Sequence, residues 1–305
     1  MADLPKRKLG NTGFEVTSLA YGAMELRGAP NGPQLSDEEA EALLNTVLDV
    51  GINLIDTSID YGLSEERIGK FISSRRDEYF LATKCGCVPG SDREHVHTAA
   101  NIRHGVERSL GLMRTDHLDL VQFHRSLTPT EFDEEGALSE LLTLREEGKV
   151  RFIGVSGTVP NLDDQIDMGL FDAFQVPYSL LQRDHEAAIA HASSAGAGVI
   201  VRGGVARGAP TDWELRSYYM LPGTQMQDTW QAADLDTLLD GMSRIEFTLR
   251  FTLSNPDLDT TIVGTSNSDH LAANVEFAMR GPLPAELYEQ ARQRLDAVEP
   301  STRDS

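Results

Sequence analysis

Asp56, Tyr61, Lys84 and His124 stand at or just beyond the ends of three short apolar runs. The runs are Asn53-Leu54-Ile55-Asp56, Tyr79-Phe80-Leu81-Ala82-Thr83-Lys84 and Leu118-Asp119-Leu120-Val121-Gln122-Phe123-His124. Tyr61 follows the first within Thr57-Ser58-Ile59-Asp60-Tyr61-Gly62. Together these side chains suit one reaction. A carbonyl that accepts a hydride becomes an alkoxide and needs a proton. Tyrosine can give one, although its unperturbed pKa near ~10 is high for neutral pH. A neighbouring ammonium stabilises the phenolate and pulls that value down. Lys84 supplies the ammonium, Asp56 pairs with it, and His124 donates a hydrogen bond that orients the carbonyl oxygen. Singly, each residue has an ordinary explanation: a loop cap, a packed turn, a surface lysine, a core histidine. All four falling at the ends of consecutive strands favours the joint reading.

The elements that must position them alternate in type. Lys8 to Val16 reads as a small hairpin around an Asn/Gly turn. Ser18–Tyr21 is a first strand. Ser36 caps a helix running to about Val50, with Glu39 completing a capping box and Gly51 stopping it. The strand ending at Asp56 precedes a helix from Ser64 to Ile72. The strand ending at Lys84 precedes one from Thr98 to Leu112, and the strand ending at His124 one from about Phe132 to Glu147. Val150–Ser156, Ala173–Val176, Gly198–Arg202 and Thr260–Gly264 read as strands five to eight. Helices are expected around 163–168, 184–195, 268–279 and 284–298. Short apolar runs separated by helical patterns are how buried parallel strands read. Eight of them in this order predict a (β/α)8 TIM barrel of the α/β class, a single domain over 1–305. A barrel gathers its strand ends on one face, so the four residues can meet. The mixed segment from about Gly203 to Leu239, with Trp213, Tyr218, Tyr219, Met220 and Trp230, is expected as a long loop after the seventh strand, an ordered cover over the barrel mouth.

The 27 basic and 48 acidic residues among 305 give a formal charge of −21. Such a surface repels nucleic acid and anionic membrane, and neither is an expected partner. No run is long and apolar enough to span a bilayer, and the first residues lack an apolar signal core, which predicts a cytoplasmic protein. Cys85 and Cys87 are too close for an ordinary disulfide. With His95 and His97 they form C-x-C followed by H-x-H, which is not a standard zinc spacing. They are read as strand-end and loop residues, with no metal expected.

The chain resembles the aldo-keto reductase superfamily. The resemblance is carried by Ile55 to Glu65, by Ala82-Thr83-Lys84 and by Leu120 to Arg125. It extends through Ile153-Gly154-Val155-Ser156, Gln175 to Leu180, and Ile262-Val263-Gly264 with Leu271 and Asn274. It implies the barrel, a nicotinamide cofactor held without a Rossmann domain, a small carbonyl substrate, and a tetrad of Asp56, Tyr61, Lys84 and His124. By resemblance, Ser156 and Gln175 hold the nicotinamide carboxamide. After the seventh strand, Gly203, Gly204 and Gly208 allow close backbone approach, and Arg202 or Arg207 reaches the pyrophosphate.

The chain also departs from the family pattern. Ser156-Gly157 replaces a common Ser-Asn, and Arg202-Gly203-Gly204 a common aromatic-Ser-Pro. At the end of the eighth strand Gly264-Thr265-Ser266-Asn267 and His270 stand where relatives often carry basic residues for an adenosine 2′-phosphate. Hydroxyls and helix N-terminal N–H groups remain for a phosphate. The expected cofactor is NADPH with a weakened preference, so NADH is a second candidate. Two other classes fit the same residues: a cofactor-sensing subunit with little turnover, and a Schiff-base aldolase using Lys84. A fixed Asp56 counter-ion argues against the aldolase, because it keeps the lysine protonated.

Overall fold

The computed structural model describes residues 4–88, 94–208 and 223–298. Strands β1 (Lys6–Lys8) and β2 (Glu15–Thr17) form the expected antiparallel hairpin. Eight parallel strands then close a barrel: β3 (Leu19–Gly22), β4 (Leu54–Asp56), β5 (Phe80–Cys85), β6 (Leu118–Phe123), β7 (Val150–Ser156), β8 (Ala173–Pro177), β9 (Gly198–Arg202) and β10 (Thr260–Val263). β10 pairs with both β9 and β3, which closes the ring. Surrounding it are α1 (Asp37–Asp49), α2 (Ser64–Phe71), α3 (Ala99–Met113), α4 (Pro129–Asp133), α5 (Ala137–Glu146), α6 (Leu162–Asp167), α7 (Glu186–Ser194), α8 (Gly223–Ala232), α9 (Arg244–Leu253), α10 (Ser268–Met279) and α11 (Ala285–Val298). Among the described residues no helix is long and apolar enough to cross a membrane.

Local signals explain most of these boundaries. The Ser36 side chain accepts from the N–H of Glu39, whose carboxylate accepts from the N–H of Ser36, so α1 starts on a complete capping box. Thr98 caps α3 in the simpler way. The stretch Phe132–Glu147, expected as one helix, is broken. Gly136 takes a left-handed φ of 72° there, which separates α4 from α5. Part of the expected loop after β9 is helical: α8 is followed by a short 3-10 turn, Leu235–Leu238. Helix α9 lies where no helix is expected from the sequence.

Strand parity divides the barrel interior into two layers. Ala20, Leu54, Phe80, Leu120, Ala173, Ile200 and Ile262 belong to one buried apolar cluster at the N-terminal ends of the strands. Side chains two residues further along each strand return to the interior. Those positions are Gly22, Asp56, Ala82, Gln122, Gln175, Arg202 and Gly264, and Lys84 lies one more step beyond Ala82. The sheet's outward face is apolar and packs under the helices in a second, larger cluster.

The hairpin seals the apolar end. Leu9 and Val16 join the inner cluster, and the Phe14 ring meets Phe80 edge-on at 5.1 Å and Phe152 at 5.9 Å. Asp259 fixes the plug by accepting from the N–H groups of Gly10 (3.1 Å) and Val199 (2.8 Å). Gly10 has φ +46°, and a Cβ there would run into the backbone of Gly196, Ala197 and Gly198. Left-handed backbone and overpacking add, so Gly10→Ala is expected to cost roughly 2–4 kcal/mol. Urea unfolding of the two proteins checks this; an unchanged midpoint would show that the plug is not tightly seated.

Candidate active site

The polar layer is organised around one carboxylate. Lys84 Nζ lies 2.6 Å from Asp56 Oδ2 and 2.7 Å from the Thr57 carbonyl oxygen. The other Asp56 oxygen accepts from Gln122 Nε2 at 3.1 Å and from Gln175 Nε2 at 2.9 Å. Lys84 is 1 % exposed and Asp56 4 %. Burial opposes the lysine's charge, but Asp56, with help from Tyr61, outweighs it and holds Lys84 above its ordinary pKa. A lysine kept charged in this way is a poor Schiff-base nucleophile. Gln122 has no role in the sequence reading. Its signal is a buried amide at the same strand parity as Leu120 and His124.

Tyr61 sits on the loop between β4 and α2. Thr57 Oγ1 contacts Ser64 Oγ at 2.8 Å, and Ser64 Oγ donates to the Ala23 carbonyl at 2.8 Å, pinning the loop's two ends. Glu65 is buried and accepts from Thr83 (2.8 Å) and Ser109 (2.7 Å), tying α2 to β5 and α3. So held, the Tyr61 ring lies with Lys84 Nζ 5.2 Å from its centroid and packs edge-on against His124 at 6.1 Å. Burial raises the phenol's pKa first and most, and Lys84 pulls it down. The ammonium therefore acts in the expected direction but does not prevail. Tyr61 is a neutral phenol carrying a proton it can give.

His124 follows β6, and its N–H donates to the Cys85 carbonyl at 3.1 Å. Burial, then the charge on Lys84, hold the imidazole well below its ordinary pKa, so it is neutral. Its Nδ1 faces Cys87 Sγ at 3.1 Å and Ser58 Oγ at 3.4 Å. Burial pushes the Cys87 thiol up to about 12, so its S–H is available to donate to Nδ1. When that S–H donates to Nδ1, the imidazole proton lies on Nε2, where it can reach a carbonyl oxygen. Both cysteines are free and buried.

The residues expected around a cofactor are brought together unevenly. Ser156 Oγ donates to Gln175 Oε1 at 3.1 Å, so the Ser156 oxygen keeps its lone pairs and Gln175 one amide proton. The pair can thus accept from and donate to a carboxamide, and it fits a nicotinamide. At Gly157 a Cβ would crowd Ser126, whose Oγ would lie 3.1 Å away, so a side chain there requires Ser126 to shift by a few tenths of an ångström. Arg202 ends β9 close enough for its charge to lower the pKa of both Tyr61 and His124. Gly203 has φ +77° and turns the chain. Gly204 is required by packing, because a Cβ would meet Thr261. The Arg207 side chain lies outside the described residues. Beyond β10, Asn267 caps α10, accepting from the N–H groups of Asp269 (2.8 Å) and His270 (3.3 Å). Thr265 Oγ1 accepts from the Asn267 N–H at 3.0 Å. Two N–H groups expected to be open to a phosphate are thus already used. His270 is exposed, Ser266 half-buried and Asn274 buried, while Gly264 is open to solvent.

Trp230 does not line the mouth as a lid would. Its ring is 1 % exposed and packs edge-on against Phe247 of α9, and its Nε1 donates to Asp236 at 3.0 Å. It fastens the segment to the outer helices. Trp213, Tyr218 and Tyr219 lie outside the described residues.

A closed eight-stranded barrel with an Asp–Lys–Tyr–His cluster at its C-terminal face defines an oxidoreductase scaffold of the TIM-barrel class. The sequence profile of the Aldo/keto reductase family matches residues 18–296, and the chain belongs to that family. It is 26% identical over 288 residues to the uncharacterized oxidoreductase YqkF of Bacillus subtilis, covering 90% of each chain. It is 28% identical over 300 residues to L-galactose dehydrogenase of Arabidopsis thaliana, covering 90% of this chain and 88% of that one. The holo form of aldo-keto reductase AKR11C1 from Bacillus halodurans superposes with a TM-score of 0.83 at 26% identity, covering 99% of this chain and 100% of that one. The family generally uses nicotinamide cofactors.

Proposed function

We propose that this protein reduces a small aldehyde or ketone to the alcohol, with Tyr61 as general acid. The observation that carries the reading is the Tyr61 ring held between a paired, charged Lys84, 5.2 Å from its centroid, and a neutral His124 at 6.1 Å. Reduced nicotinamide, when bound, supplies the hydride. His124 donates from Nε2 to the carbonyl oxygen and aims it at the Tyr61 hydroxyl. As charge develops on that oxygen, Tyr61 gives it a proton, and the Lys84 ammonium stabilises the phenolate left behind. Asp56 keeps Lys84 charged and placed. Gln122 and Gln175 hold Asp56, and Ser156 with Gln175 orients the carboxamide. The alcohol is oxidised by the same groups in reverse.

One relative is named as a sugar dehydrogenase, which supports including aldoses and other small sugars among the substrates. The test follows the loss of NADPH and NADH absorbance with aldehydes, ketones and sugars. Turnover with any of them supports the reading; binding of nucleotide with no turnover on the whole panel refutes it.

The α10 N-terminus offers a 2′-phosphate little attraction. Asn267 occupies two of its N–H groups, Asp269 adds a negative charge in the first turn, and no Lys or Arg stands between Gly264 and Asn274. Both nucleotides are therefore expected to serve, with no strong preference for NADPH. Introducing a guanidinium by His270→Arg should lower KM for NADPH about tenfold, the value of one charge-assisted hydrogen bond, and leave KM for NADH unchanged. Equal changes for both would show that residue 270 does not meet the 2′ position.

A further inference from the structure

Three side chains that carbonyl reduction does not require converge on one member of the tetrad, His124. Asp60, Cys87, His95 and His124 each bring one donor atom into a group in which all four atoms lie within 4.8 Å of one another. His124 Nδ1 is 3.1 Å from Cys87 Sγ and 3.6 Å from Asp60 Oδ2. A tetrahedral zinc ion, with bonds of about 2.0–2.3 Å, needs neighbouring donors about 3.3–3.7 Å apart. The His124–Asp60 separation matches this, the His124–Cys87 pair must open by a few tenths of an ångström, and the widest pair must close by at most roughly 1 Å.

The fold explains why these four meet. The chain leaving β5 doubles back, with Val88 N–H donating to the Glu94 carbonyl (3.0 Å) and Val96 N–H to the Gly86 carbonyl (2.7 Å). Cys87 and His95 are thereby directly paired across an antiparallel bridge. Directly opposed residues put their side chains on the same face. The His95 ring packs edge-on against His124 at 5.5 Å. Asp60 arrives from the loop after β4 and His124 from the end of β6. Ser58 Oγ donates to Asp60 and lies 3.6 Å from Cys87 Sγ, so it can orient these donors from outside an ion's first sphere. The C-x-C and H-x-H spacing obscures the set. Cys85 belongs to the buried face of β5, His97 stacks on His95 from outside at 6.2 Å, and only one member of each pair turns inward.

We propose that Asp60, Cys87, His95 and His124 form a binding site for a soft divalent cation of the zinc class. One thiolate, two imidazoles and one carboxylate are a zinc or cobalt donor set, whereas magnesium and calcium take oxygen ligands. Binding replaces the Cys87 thiol proton with the ion and releases that proton to solvent. The ion sits on Nδ1 of His124, which leaves the imidazole proton on Nε2. The site shares His124 with the reducing machinery, and its other three ligands lie beside that machinery.

The test uses the full chain, stripped with chelator, kept reduced and titrated with Co²⁺ without nucleotide or substrate. Its outcome is therefore independent of whether the protein turns over a carbonyl. The expected result is one equivalent of tetrahedral cobalt with a thiolate-to-cobalt charge-transfer band, bleached by Zn²⁺. Cys87→Ser should abolish that band, and Cys85→Ser should keep it. His95→Gln leaves the thiol in place, and should weaken binding by at least roughly 100-fold, the upper end of what losing an outer-sphere partner costs. Absence of the band in the wild-type protein, or its survival in a folded Cys87→Ser variant, overturns the proposal. Unchanged affinity in His95→Gln does so as well.

Discussion

Tyr61→Phe is expected to lower kcat by about 10²–10⁴-fold, the usual worth of a positioned general acid. The change removes one oxygen and keeps the ring that packs against His124 and beneath Lys84. Affinity for the nucleotide should therefore stay within about twofold, since no packing surface is lost. Steady-state turnover on the best substrate, together with nucleotide titration by fluorescence, separates the two effects. A kcat reduced less than tenfold would mean that another group delivers the proton. A loss confined to KM would make Tyr61 a binding residue.

The second large effect concerns Asp56. Asp56→Leu preserves approximate volume but leaves the Lys84 ammonium buried with the Thr57 carbonyl as its remaining partner of the two. It also deprives the Gln122 and Gln175 amides of their shared acceptor. Breaking one side of a buried ion pair costs about 3–5 kcal/mol, whereas replacing both partners with apolar groups is often neutral or stabilising. Asp56→Leu should thus unfold at much lower urea than the wild type, and Asp56→Leu with Lys84→Met should regain most of that stability while remaining inactive. Equilibrium urea unfolding of the wild type, Asp56→Leu, Lys84→Met and the double variant gives the coupling energy. If the double variant is no more stable than Asp56→Leu alone, the penalty arises from the orphaned amides and not from the lysine.

How far the chain can be read depends on where each signal is local. The strands are legible because a buried parallel strand must be apolar over its whole length and then turn polar at the mouth. Val150–Ser156 and Gly198–Arg202 match their predicted bounds for that reason. The Asp56, Tyr61, Lys84 and His124 cluster is legible because its members lie at or just beyond the ends of consecutive strands. Helix α9 is harder to read, since Arg244, Glu246, Thr248, Arg250 and Thr252 alternate with its apolar residues and resemble strand patterning. A cue is present in Ser243, which accepts from the Glu246 N–H at 3.0 Å. The Glu246 side chain turns away to Arg280 instead of completing the box. Gln122 is hidden inside an apolar run, and only the barrel's closure shows that it shares Asp56 with Gln175. Pro89-Gly90 signals a turn between Cys87 and His95, but which side chains it brings opposite one another depends on a register that the sequence does not give.

The hairpin plug has a kinetic consequence. With Leu9, Phe14 and Val16 backing an inner layer that is already filled with apolar side chains, the barrel opens only at its C-terminal mouth. Two molecules that react inside it must come and go through the same opening. Whichever lies deeper has to enter first and cannot leave until the other has gone. For a reductase built on this scaffold, an obligatory order of binding and release follows from having a single entrance, the far end being closed by packed side chains and the hairpin behind them.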